Sequence, residues 1–236
     1  MLVVNRIENR VRDYLDGEYS LREENYVPSL YNVHLGKRAY KTKVCAFYID
    51  LRNSTDLLFK DGKAISGKVH KAFLNVVSEV IQYYKGEIRD FQGDGVLAFW
   101  SANYKSEISS AVRAGFTLKW FFKEKIKEYF EPFGGIDYGI GIDWGEIYVL
   151  RVGITATDNS NDLVYIGKCV NFAVGIANYL SAPNNMGISE SVYSNLEDDE
   201  LYSTKNDKKV NMWKDYEIDW KKSKKKIKTS SWWWGI

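Results

Sequence analysis

The chain has 236 residues, is 45% hydrophobic and 15% aromatic, and carries a net charge of +2, which supports a sizeable core and excludes a disordered tail protein. No apolar run reaches the roughly 18 residues of a membrane span, no signal-peptide core follows the N-terminus, and Cys45 and Cys169 are too few for a disulfide framework, so a cytoplasmic protein is expected. Six lysines lie between Lys221 and Lys228, leaving a mildly acidic body; this is not the spread basic face of a nucleic-acid binder, and His34 and His70 are too few for histidine-rich zinc chemistry.

Val4, Ile7, Val11, Tyr14 and Leu15 stand at helical spacing, so residues 1–43 read as an amphipathic helix followed by a polar, Tyr-rich connection. The main domain, 44–220, opens with a short apolar strand from Val44 to Asp50. Asn53, Ser54 and Thr55 then offer a helix N-cap, and helical periodicity continues to Tyr84 with a break near Asp61 and Gly62. Strands at 87–92 and 96–100 are joined through Gly93, Asp94 and Gly95 as a hairpin. A helix is predicted over 107–127. Strands at 138–142 and 146–150 flank Asp143, Trp144 and Gly145 as a second hairpin, and a strand at 163–166 precedes a helix over 170–180. Residues 221–236 read as a basic, Trp-rich tail. This order predicts an α+β fold with a ferredoxin-like core, an antiparallel or mixed sheet carrying helices on one face.

Asp50 ends an apolar strand and Asp94 tips a glycine-flanked turn 44 residues later. If the hairpin lies beside the first strand, the two carboxylates converge on hard divalent cations, Mg²⁺ or Mn²⁺, which take oxygen ligands and leave room for substrate phosphates. Two such ions suit phosphoryl or nucleotidyl transfer. Gly93 and Gly95 allow a triphosphate close approach, and the helix start at Asn53, Ser54 and Thr55 offers free N–H groups to phosphate. Either aspartate alone has a plain reading, as a turn residue or a cap.

Four segments, FYIDLRNST from Phe47, GDGVLAF from Gly93, YGIGIDWG from Tyr138 and YIGKCVNFA from Tyr165, occur in the order and spacing of one family. Over about residues 44–180 the chain resembles the class III nucleotidyl cyclases. The resemblance implies a head-to-tail homodimer with active sites at its interface, and two Mg²⁺ or Mn²⁺ ions held by Asp50, Asp94 and the carbonyl of Leu51. It implies cyclisation of a nucleoside triphosphate to a 3′,5′-cyclic monophosphate with release of pyrophosphate, and a ribose-orienting role for Asn171, given by the opposite protomer.

The sequence departs from the family pattern in three places. Asp90 stands where a base-reading lysine or glutamate is common, and Val164 where its polar partner is common; Asp90 accepts from a base but cannot donate when ionised. Tyr48 is in phase with Asp50, so its ring narrows the base pocket or stacks on the base, and Gln92 is a further candidate for reading base or ribose. A smaller pocket with an acceptor suits uracil N3–H or cytosine N4–H₂. In this respect the chain resembles the pyrimidine cyclases of Pycsar antiphage systems, which make cyclic UMP or cyclic CMP for an effector protein. Third, Gly175 stands where the family usually places a phosphate-stabilising arginine, and Lys168 or Arg151 is expected to replace it. An adenylate or guanylate cyclase and a degenerate, nucleotide-binding dimer are the competing readings. In the tail, lysines beside Trp232, Trp233 and Trp234 leave three placements: contact with an anionic membrane surface, packing back on the domain, or contact with a partner.

Overall fold

The computed structural model describes residues 2–153 and 161–236. In chain order its elements are α1 (Leu2–Asp16), β1 (Ser20–Glu23), β2 (Arg38–Leu51), α2 (Ser54–Tyr83), β3 (Glu87–Gln92), β4 (Gly95–Ser101), α3 (Lys105–Trp120), α4 (Lys127–Phe130) and β5 (Tyr138–Gly153). There follow β6 (Asn161–Ile166), α5 (Lys168–Tyr179), β7 (Met186–Ser189), α6 (Glu190–Tyr193), α7 (Asp198–Leu201), β8 (Tyr202–Lys205), β9 (Lys208–Asn211), β10 (Lys214–Trp220) and β11 (Ser223–Thr229).

The main sheet runs β10-β11-β7-β5-β2-β4-β3, with β1 added to β2 and β6 to β5, while β8 and β9 form a separate ribbon. Pairs β1/β2 and β5/β7 are parallel and the rest antiparallel, so the sheet is mixed. Within it, β5-β2-β4-β3 with the intervening α2 and α3 is the expected ferredoxin-like core.

The two faces of β2 explain why the helices divide between both sides, where one side was expected. Cys45, Phe47, Ile49 and Leu51 point to a core built with Phe73, Val77 and Ile81 of α2 and Ala111, Phe116 and Leu118 of α3. Val44, Ala46 and Tyr48 point the opposite way, against Cys169, Val170, Ala173 and Ala177 of α5. Helix α5 lies directly on β5: a Cβ at Gly139 would fall 2.1 Å from the Ala177 carbonyl, and one at Gly141 would fall 2.0 Å from that of Ala173. Only glycine permits that approach.

The expected hairpin around Asp143, Trp144 and Gly145 is instead the middle of one continuous strand, because β5 pairs with β2 without interruption from Tyr138↔Leu51 to Val149↔Tyr40. Trp144 packs toward the α2/α3 core, and Asp143 is buried and satisfied by Ser191 Oγ at 3.0 Å and its neighbour's N–H at 2.8 Å. Gly145 makes room for Cys169 of α5, whose Cβ lies 3.2 Å from where its own would be. The break in α2 falls at Gly62, with φ 79° and ψ 172°. The helix predicted over 107–127 ends at Trp120 and continues as a wider π-helical turn, Phe121–Lys125.

The chain's two ends also differ from the expected segmentation. Strand β2 starts at Arg38, six residues before position 44, and the lysine run forms β11 within the main sheet. Its lysines stand opposite acids of β10: Lys224 faces Asp219, Lys226 faces Glu217 and Lys228 faces Asp215, cross-strand pairs that favour the ribbon. Beyond it, Trp233 lies beneath the Lys123 ammonium at 3.4 Å and Trp234 packs on Phe116 with ring centroids 4.3 Å apart. The tryptophans thus take the second of the three placements, back on the domain.

Candidate active site

The register places the carboxylates. Asp50 on β2 lies between Gly95 of β4 and Gly139 of β5, and the next row on the same face reads Asp90, Leu97, Tyr48 and Gly141 across four strands. Gly93, with φ 66°, opens the turn that carries Asp94 back toward Asp50. The two carboxyl groups come within hydrogen-bonding reach of each other. Burial first, and then the charge of Asp94, push the Asp50 carboxyl up to about 6, against the opposing pull of Arg52.

Tyr48 is in phase with Asp50, as alternation predicts, and its hydroxyl stands 3.5 Å from Asp50 Oδ1. Burial and then the charges of Asp50 and Asp94 push its phenol up to about 12, so it remains a neutral donor. A Cβ at Gly95 would fall 2.2 Å from the Tyr48 hydroxyl and 2.9 Å from Asp50 Oδ1, so the ring lies flat over the strand beside the carboxylates. Gln92 Nε2 donates to Asp90 Oδ2 at 2.9 Å. Asn53 adopts a left-handed φ of 58° and occupies the N-cap of α2 without a side-chain cap bond, and Ser54 and Thr55 begin that helix beside the pair. Leu51 buries its side chain in the core, leaving only its backbone for the site.

A second group of expected residues lies elsewhere on the protomer. Val164 sits on β6 opposite Leu150, 40% exposed. Lys168 and Asn171 are exposed on the first turns of α5, where Asn171 Nδ2 reaches the Gly167 carbonyl at 3.3 Å. Arg151 is twelve positions beyond Gly139 on β5, roughly 40 Å of strand, and its Nη1 donates to the carbonyls of Leu30 and Val33 at 3.4 Å. Within one protomer none of the four joins Asp50 and Asp94.

Arg52 escaped the sequence reading. Its Nε donates to the Leu180 carbonyl at 3.1 Å, and its Nη2 to the same oxygen at 2.9 Å and to the Ala177 carbonyl, while Nη1 lies 3.7 Å from Asp50 Oδ2. One guanidinium therefore caps the end of α5 and faces the carboxylate. The available signal was a cation two residues after Asp50, at the mouth of an apolar strand.

The donor set fits a hard divalent cation. A carboxylate whose proton affinity is raised by burial and by an adjacent carboxylate is relieved by a cation between the two. Among the described residues no cluster of three or more His, Cys, Asp or Glu occurs, so carbonyl, water and phosphate oxygens would complete the shell, as is usual for Mg²⁺.

No protein-family model matches the chain. It is 25% identical to a uridylate cyclase of Rhodovulum sp. (strain MB263), covering 99% of this chain and 98% of that protein. It is 26% identical to a uridylate cyclase of Burkholderia cepacia, covering 90% and 91% respectively. The adenylyl cyclase CyaB from P. aeruginosa superposes with a TM-score of 0.67 at 22% identity, over 81% of this chain and 95% of that one. The chain has the class III cyclase fold. A dimeric guanylyl cyclase domain of the RhoGC fusion protein from Blastocladiella emersonii shares this fold, with a TM-score of 0.60 at 15% identity over 81% and 97% of the two chains. In class III terms, the fold accounts for the ferredoxin-like core and for α5 on the second face, while the whole-length resemblance is to pyrimidine cyclases.

Proposed function

We propose that the protein is a nucleotidyl cyclase that converts UTP or CTP to the 3′,5′-cyclic monophosphate and pyrophosphate, working as a head-to-tail homodimer. The observation that carries this reading is the meeting of Asp50 and Asp94 on the face that also bears Tyr48, Asp90 and Gln92. The 3′-oxygen attacks the α-phosphorus, the bond to the bridging oxygen breaks, pyrophosphate leaves, and the 3′-hydroxyl proton is lost to water. Asp50, Asp94 and the Leu51 carbonyl would hold the two Mg²⁺ or Mn²⁺ ions, which supply positive charge to the phosphate oxygens. The N–H groups opening α2 at Asn53, Ser54 and Thr55 receive the outer phosphates. Asn171, from the partner protomer, orients the ribose.

For the base, Tyr48 closes the pocket wall and Asp90, steadied by Gln92, accepts from uracil N3–H or cytosine N4–H₂. Val164 adds an apolar edge that an adenine-reading site would not use. The uridylate cyclase names of the whole-length relatives support this choice of base. The product is a second messenger for a separate effector protein, as in Pycsar antiphage defence.

Gly175 favours the second reading, a dimer that binds triphosphate without turnover. Incubating the protein with all four nucleoside triphosphates and Mn²⁺, then separating products by HPLC, tests both. Cyclic UMP or cyclic CMP is expected. Dominant cyclic AMP or cyclic GMP would overturn the base assignment, and absence of pyrophosphate would overturn the enzymatic reading.

A further inference from the structure

Helix α5 carries an exposed Asn171 and a partly covered Gly175 on one face, four residues and about one turn apart. Gly175 has no room for a side chain. A Cβ there would fall 2.4 Å from Nε1 and 2.5 Å from Cδ1 of Trp220, the last residue of β10. The same indole meets Phe172 edge-on, with centroids 5.0 Å apart, so it is wedged onto α5 between Phe172 and Gly175. Trp220 leads into the two-residue turn joining β10 to β11, Lys221 with φ 48° and Lys222 with φ 61°, the left-handed pair of a tight hairpin. Lys221 Nζ stands over the Trp220 ring at 4.5 Å, a cation–π contact that holds the ammonium on the indole packed against α5.

Two other lysines of this hairpin are committed elsewhere. Lys224 pairs with Asp219 at 2.9 Å, and Lys228 with Asp215 at 2.5 Å and Glu190 at 3.5 Å. Among the described residues no ion pair involves Lys221. Cyclisation of a triphosphate builds negative charge on the oxygen that leaves with pyrophosphate, and a preorganised cation is the usual means of stabilising it. On the α5 side, the Gly175 position cannot supply that cation. The residue that fills its place delivers one.

We infer that Lys221, carried by the hairpin wedge at Trp220, is the catalytic cation that the α5 face contributes to the phosphates of the partner protomer's substrate. This rests on the cyclase reading above, and it replaces Lys168 and Arg151 in that role. A side chain at 175 and the indole of Trp220 exclude one another, so the hairpin and the glycine form one device.

The test uses the full-length dimer. Lys221→Ala is expected to lower kcat by about 10² to 10³, the usual effect of deleting a transition-state donor, with KM changed by less than about fivefold. Lys221→Arg should recover at least a tenth of the rate, and Lys222→Ala, an equal change in net charge, should stay within about twofold of wild type. Mixing Lys221→Ala with Asp50→Asn, each nearly inactive alone, should restore roughly a quarter of wild-type activity, because half the dimers then contain one intact site. A Lys221→Ala rate within twofold of wild type, equal losses in Lys221→Ala and Lys222→Ala, or no recovery on mixing would each overturn the assignment. If the wild type releases no pyrophosphate, the cyclase reading fails separately, and the lysine is judged by binding. Lys221→Ala should weaken UTP at least fivefold relative to UMP, and equal affinities would overturn it.

Discussion

At the scale of single residues, the site stores electrostatic tension that a cation would release. Asp50 has its carboxyl raised from 3.8 to about 6, chiefly by burial and then by Asp94. Between about pH 4 and 6 the folded protein therefore binds more protons than the unfolded chain, so metal-free stability falls as pH rises through that window. The full effect is at most about 3 kcal/mol. Asp50→Asn should abolish this slope and leave the apo protein as stable as, or more stable than, wild type at pH 7, while turnover falls by more than about 100-fold. Urea denaturation at pH 4.5 and 6.5, with EDTA and then with Mn²⁺, reads this directly. A wild-type stability that rises over this interval in EDTA would contradict the account.

At the scale of elements, one guanidinium couples the carboxylate to the end of a helix 125 residues further along the chain. Arg52 satisfies the Ala177 and Leu180 carbonyls at the end of α5 and stands 3.7 Å from Asp50. Arg52→Met keeps the apolar stem but leaves the Leu180 carbonyl without its donor, while the Ala177 carbonyl keeps the Leu180 N–H, and it removes the cation facing Asp50. A loss of about 1 to 3 kcal/mol is expected from the unsatisfied carbonyl, together with reduced turnover; a stability change under about 0.5 kcal/mol in urea would show that α5 does not depend on this cap.

Such a coupling was not legible in the sequence, whereas the position of Asp50 itself was, because alternation along β2 fixes which residues share its face. Tyr48 was reached by the same reasoning, Asp90 through the family resemblance and Gln92 as its neighbour on the hairpin, and the register puts them in the row of Asp50 and the row beside it. The hairpin expected at Asp143 failed for a physical reason. Its Asp and Gly look like turn residues, but the glycine answers to the close approach of α5 and the aspartate to Ser191, which are contacts from distant parts of the chain. The strand made by the lysine run did leave a signal: acids at 215, 217 and 219 and lysines at 224, 226 and 228 both alternate with period two, around a Lys-Lys turn.

At the scale of the whole molecule, the C-terminal segment is a strap laid along α3, and it encloses a lysine. Lys119 is 4% exposed, and its ammonium donates to the carbonyl of Ser230. Burial, with a smaller contribution from Lys123, lowers its pKa from 10.5 to about 7. It borders a cavity of about 640 Å³ lined also by Leu57, Phe122, Ile136 and Trp233, on the α2/α3 side of the sheet. The carboxylates occupy the other side, but Leu51, Arg52 and Asn53 also line this cavity, so it borders the site at the end of β2. Between about pH 7 and 10.5 the unfolded chain binds the proton that folded Lys119 has given up, so this residue makes stability rise with pH across that interval. Lys119→Met should remove that component of the slope and leave the Ser230 carbonyl without its donor. Deleting residues 230–236 should also remove it, by opening Lys119 to water, and should lower stability further by uncovering Phe116 beneath Trp234. Guanidinium unfolding at pH 7 and pH 9.5 distinguishes these effects: wild type gains stability over the interval relative to both variants, and three parallel profiles would mean that the strap does not bury the lysine in solution.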